Sequence, residues 1–201
     1  MQNLRSVPDR SCRALNRTLF LMFSALLGMA ATPVALADTA ANAFFDSLHR
    51  LCGTRFEGAM TFPAEGQDAF AGKLLVAQVE TCTDSEIRIP FAVGDDTSRT
   101  WIISRTDSGL QLQHDHRHAD GTEDAISMYG GKSRPGGSAT EQSFAADAHT
   151  AKLIPEAATN VWTISLADDG GRLVYALQRN DKPRFKAELR RVDSPASVPG
   201  H

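Results

Sequence analysis

The chain has 201 residues, with 21 lysines and arginines against 24 aspartates and glutamates and a formal net charge of −3. That length suits one domain with a real core. The mildly acidic balance, without a basic patch, excludes nucleic acid as a partner.

Residues 1–37 have the layout of a secretory signal peptide. Arg5, Arg10, Arg13 and Arg17 make a basic start. Residues 18–31 (TLFLMFSALLGMAA) are an apolar run, and Ala35-Leu36-Ala37 is a small-x-small cleavage site before Asp38. The run is shorter than the roughly 20 apolar residues of a membrane span, and no other segment comes close. These residues predict a product cut near Ala37 and exported, to a periplasm or the medium, with no stable membrane span. No cysteine follows the cut directly, so no lipid anchor is expected. Cys12 leaves with the leader. Cys52 and Cys82 remain, an even pair in an oxidising compartment, and predict one disulfide.

Residues 39–51 (TAANAFFDSLHRL) place Phe44, Leu48 and Leu51 on one face at helical spacing, and Gly53 stops the helix. Beyond Gly53 the apolar period falls to two. Strands are predicted over residues 55–62, 73–82, 85–93, 99–106 and 109–118, with Pro90 marking a bulge or an edge. A shorter strand covers 124–129. Residues 130–138 (GGKSRPGGS) read as a mobile Gly-rich loop, a lid beside a barrel mouth. Residues 141–145 and 148–154 are short pieces. Three further strands follow at 160–166, 172–178 and 184–192, joined by turns at 168–171 and 180–183. The domain runs from 38 to 193, and residues 194–201 form a flexible tail. About eight to ten antiparallel strands must hide their edges; a closed up-and-down barrel does so, with a two-sheet sandwich as the rival.

A helical turn precedes the first strand, which opens Gly53-Thr54-Arg55-Phe56-Glu57-Gly58, and the last strand ends Leu189-Arg190-Arg191. In these features the chain resembles lipocalin-type barrels, the wider calycin group. Such barrels often carry Gly-x-Trp on the first strand and, on the last, an Arg that packs over that ring. Here Phe56 replaces the Trp and stands one residue later. The resemblance implies Phe56 and Arg191 as a closure of the barrel, a central cavity, and small, mostly apolar ligands. Fold likeness alone assigns no function.

The densest polar stretch is residues 113–124 (QHDHRHADGTED). Residues two apart on a strand share a face. His114, His116 and His118 therefore continue the face of Leu110 and Leu112 and line the interior towards the mouth. Three imidazoles suggest zinc or copper, with a fourth ligand from Glu123, Asp124 or His149. Same-face neighbours stand roughly 6.5–7 Å apart, which strains a three-histidine set. The other readings are a polar strand end and contacts to an organic ligand. Residues 120–124 are foremost a turn. Arg105 follows Trp101 and Ile103 on one face, and Arg191 follows Phe185, Ala187 and Leu189 on another. A cation that ends an apolar face is paired, stacked or solvated, or it holds a ligand's carboxylate or phosphate.

No Gly-x-Ser-x-Gly, His-Glu-x-x-His or Ser-x-x-Lys is present, so no catalytic residue and no cofactor is assigned. The expectation is an all-β, antiparallel up-and-down barrel of lipocalin-like build with a short N-terminal helix, binding a small apolar or amphipathic molecule. Trp101, Ile103, Ile87, Ile89, Phe91, Leu110 and Leu112 would line its cavity. His114, His116, His118, Arg105 and Tyr129 would supply polar contacts. Two alternatives stand: an envelope enzyme built on a metal or on a histidine beside Asp115 or Asp124, and an interaction module with a packed barrel. Oligomeric state stays open.

Overall fold

A computed structural model describes residues 33–62 and 68–192. Most of the expected leader and all of the expected tail lie outside the described residues.

The first element is helix α1, Pro33–His49. It begins inside the expected leader and ends two residues before Leu51. Proline suits the first helical position, where its missing N–H is not needed, and Gly53 takes a φ of +82° just beyond the end. Strands follow as β1 (Arg55–Phe62), β2 (Leu75–Gln78), β3 (Thr81–Cys82), β4 (Glu86–Val93), β5 (Asp96–Thr106) and β6 (Gly109–His116). Then come β7 (Tyr129–Ser133), β8 (Glu141–Ala146), helix α2 (Ala148–Leu153), β9 (Asn160–Ala167), β10 (Arg172–Arg179) and β11 (Lys182–Val192).

Every paired neighbour is antiparallel, β1 pairs with β11, and β2 pairs with both β1 and β4. The sheet therefore closes on itself as a ten-stranded barrel, with β3 as a short flap on β4. Strict alternation drives this closure. In β4 the inward Ile87, Ile89, Phe91 and Val93 are all buried, and their neighbours are partly exposed. Pro90 stands opposite the break between β2 and β3, where the partner strand is interrupted and a missing N–H costs no ladder bond. The predicted continuous strand over 73–82 is broken there.

Two expectations need correction. The Gly-rich segment is no lid. Gly130 and Gly131 sit inside β7, where a Cβ would come within 1.9 Å of the Leu112 and Ala145 carbonyl oxygens. Only glycine lets the three backbones approach so closely. The turn after β7 lies at the helix end of the barrel, because the Ser133 hydroxyl takes the Leu110 amide hydrogen there. Second, β6 ends at His116. The chain then turns through residues 117–123, closed by an Arg117–Glu123 bridge.

Helix α1 plugs one end. Ala41, Phe44, Phe45 and Leu48 are at most 2 % exposed and pack among Phe56, Ile103, Leu110, Leu112, Phe144 and Leu189. The disulfide Cys52–Cys82, with Cα atoms 6.2 Å apart, ties the exit of α1 to β3 at this end. Phe56 and Arg191 are register partners. Phe56 is fully buried and Arg191 is exposed. Among the described residues the guanidinium that stacks on a ring at this end is Arg105, 4.0 Å above Phe45. No described helix is long and apolar enough to cross a membrane.

Candidate functional site

Among the described residues the end away from α1 is open. Strand parity points Arg99 and Trp101 of β5, His114 and His116 of β6, Asn160 and Trp162 of β9, and Tyr175, Leu177 and Arg179 of β10 towards one space. A cavity of about 220 Å³ lies between them, bounded also by Phe70, Phe91, Tyr129 and Phe185. Ile154 and Ala157, just after α2, roof it. The Thr150 hydroxyl anchors this roof. It donates to the Gly130 carbonyl and accepts the Gly130 amide hydrogen, both at 2.7 Å. Asp147 caps α2 by accepting from the Thr150 amide.

The walls are aromatic. Phe91 stacks on Trp101 at 4.5 Å, Trp101 meets Tyr175 at 4.3 Å, and Tyr129 stacks on His114 at 4.7 Å. These rings line a largely apolar slot. The barrel is thus solid around α1 and hollow towards the mouth.

His114 is buried and fully committed. Its Nδ1 lies 3.1 Å from the Tyr129 carbonyl oxygen, which can only accept, so Nδ1 carries the hydrogen. Nε2 is then bare and takes the Tyr175 hydroxyl hydrogen at 2.7 Å. Burial holds the imidazole down to about 3, and burial raises the Tyr175 hydroxyl well above its ordinary range. Both groups are neutral at pH 7. The ring keeps no lone pair for a metal or a substrate proton.

His116 is half-buried. Its Nε2 lies 3.1 Å from the Tyr129 hydroxyl. Burial, then the Arg99 charge, lowers its basicity, and burial pushes Tyr129 up to about 12. His118 is absent from this row. It is exposed beyond the end of β6, with Nδ1 3.9 Å from an Asp124 carboxylate oxygen. Among the described residues no three of His, Cys, Asp and Glu are grouped to hold a metal ion.

Arg105 is also elsewhere, at the plugged end. It pairs with Asp46, hydrogen-bonds Asn42 and covers Phe45. Arginines of the cavity were missed by sequence reasoning. Arg99 stands two residues before Trp101 on the same face and pairs with Asp96 at 2.7 Å. Hydrogen bonds from Ser98 and the Arg99 guanidinium hold that carboxyl down to about 2. Arg179 continues the inward face of Leu173, Tyr175 and Leu177, and its Nε donates to Asn160 Oδ1 at 2.8 Å. Parity puts each on the inward face of its strand. Nothing in the alternation says which end of a strand is plugged, so the same rule that selected Arg105 passed over Arg99.

Trp101 and Tyr129 do lie on the cavity wall, with His114 and His116 beside them. Comparison with protein-family models, with curated proteins and with solved structures finds no match, so the reading of this site rests on its geometry.

Proposed function

We propose that this chain is an exported binding protein that holds one small, mostly apolar molecule in the open half of its barrel. The observation that carries the reading is the half-hollow interior: α1 fills one end with side chains, while an aromatic slot stays open at the other. Binding sites for small molecules are concave and mostly apolar, with a few placed polar groups. The slot fits that description, with Tyr129, His116, Asn160 and two arginines near its rim. Its volume lies below the roughly 300–1,000 Å³ usual for drug-sized ligands, which favours a ligand of one or two rings or a short chain.

Export is supported by the leader-like residues 1–37 and by the disulfide. A cut before Asp38 keeps the buried Ala41, Phe44, Phe45 and Leu48 of α1, which all follow it.

The chain holds only two tryptophans, Trp101 and Trp162, and both line the slot. Tryptophan emission therefore reports on this site. Titration with dansyl amide, a neutral aromatic probe that absorbs where tryptophan emits, should quench it saturably at one probe per chain. Ala157→Phe, which puts a ring into the slot from its roof, should abolish the quenching while thermal unfolding stays cooperative. Quenching that is non-saturable or indifferent to Ala157→Phe would reject the reading.

A further inference from the structure

The rim of the slot is rich in donors. Arg179 Nε is turned onto Asn160 Oδ1, which leaves both Nη groups and the Asn160 amide hydrogens for other partners. Asn160 is only 4 % exposed, so the cation is held by a buried, neutral side chain. Among the described residues Arg179 has no ion-pair partner. Arg99 stands on β5, five strands away around a ten-stranded ring, and so across the mouth from β10. One of its nitrogens is used by Asp96. Its charge reaches into the slot, where it adds to the burial that lowers His116 and opposes the burial that raises Tyr129.

A guanidinium at the edge of an apolar slot, unmatched by a carboxylate, is an arrangement that a bound anion completes. The fork geometry of Arg suits the paired oxygens of a carboxylate, phosphate or sulfate. We propose that the ligand is amphipathic: a small apolar body packs in the cavity against Trp101, Tyr175 and Trp162, and an anionic group at its outer end is held by Arg179, with Asn160 orienting that arginine and Arg99 adding charge from the far side. This rests on the reading of the slot as a binding site and names the chemical class of what it takes.

The test compares two probes of one shape. Naphthalene-2-carboxylate and naphthalene-2-carboxamide differ in charge and share the ring body. Calorimetric titration of the intact chain should show the carboxylate binding about tenfold tighter or more, the scale of one charge-assisted hydrogen-bonding pair, with the advantage shrinking as salt rises. Arg179→Gln should erase that advantage. Arg179→Lys should restore part of it. Arg190→Gln, an equal change of charge on the exposed outer wall, should do nothing. Equal affinity of the two probes for the unaltered chain would overturn the inference and leave the slot as a neutral binding site. Binding of neither probe would overturn the slot reading itself, and this inference with it.

Discussion

The Tyr175 hydroxyl donates to His114 Nε2 at 2.7 Å, joining residues 61 positions apart across the cavity wall. The pair fixes the His114 tautomer, since Nδ1–H is already given to the Tyr129 carbonyl. It also turns the Tyr175 ring so that its face meets Trp101. Replacing Tyr175 by Phe leaves a buried ring nitrogen without a donor. The expected cost is about 1–3 kcal/mol of unfolding free energy. Replacing both residues by Phe should recover part of it, because the bare ring nitrogen goes with His114. Urea unfolding of the unaltered chain and the two variants checks this; a double variant no more stable than Tyr175→Phe would contradict it.

Acid should weaken the fold through the same imidazole. Its folded value of about 3 lies below its ordinary 6.5. Across that window the unfolded chain takes up a proton that the folded chain refuses. The contribution is therefore intact above pH 6.5 and is lost as pH falls towards 3, at up to about 1.4 kcal/mol per pH unit. His116, lowered first by burial and then by Arg99, acts in the same direction. Urea midpoints between about pH 7.5 and 5 sample the range above most carboxylates. The double Phe variant should give a flatter profile there.

Gly130 is expected to tolerate nothing larger. A Cβ there would lie 1.9 Å from the Leu112 oxygen, a backbone atom held in the ladder. Gly130→Ala should cost more than about 2 kcal/mol by overpacking. Gly136 has open space around it and only its φ of +91° to protect. Gly136→Ala should cost roughly 1 kcal/mol. Thermal melts that rank the two in the opposite order would refute this account of the Gly-rich segment.

Arg105 should matter to α1 and not to the slot. It holds Asp46 and covers Phe45, far from the mouth. Asp46 is 59 % exposed, so the ion pair itself contributes little. Arg105→Met should cost about 1–2 kcal/mol, mostly from the lost cation–ring contact. Quenching by dansyl amide should be unchanged. A weakened probe response at equal foldedness would place Arg105 in the site after all.

Reducing Cys52–Cys82 opens a loop with a sequence separation of 30. The expected loss is about 3 kcal/mol. The barrel ladder does not pass through this bond, so circular dichroism of a Cys52→Ala/Cys82→Ala chain should keep its strand signal at 25 °C (a temperature well below typical melting, about 45–65 °C).

Alternation made the barrel legible, because a strand with one wet and one dry face states its own orientation. Ile87, Ile89, Phe91 and Val93 could be assigned inward from their spacing alone, and they are. The disulfide was legible from the even count of cysteines and the expected compartment. Lengths were harder. His118 continues the parity of His114 and His116, yet the ladder stops one residue after His116 in an isolated bridge, so parity no longer applies. Gly130 and Gly131 read as a loop because glycine is scarce in strands, and only the crowding of three backbones explains them. The slot was half legible. Trp101, Tyr129, His114 and His116 could be named, while Tyr175, Trp162 and Arg179 come from β9 and β10, and their approach to β5 depends on closure of the ring.

Native mass spectrometry of the chain, purified without denaturant from the envelope of an exporting host, tests the occupied slot most directly. The account predicts one retained organic mass per chain, lost on denaturation and absent from the Ala157→Phe variant. A bare polypeptide mass, unchanged when naphthalene-2-carboxylate is supplied in excess, would contradict it.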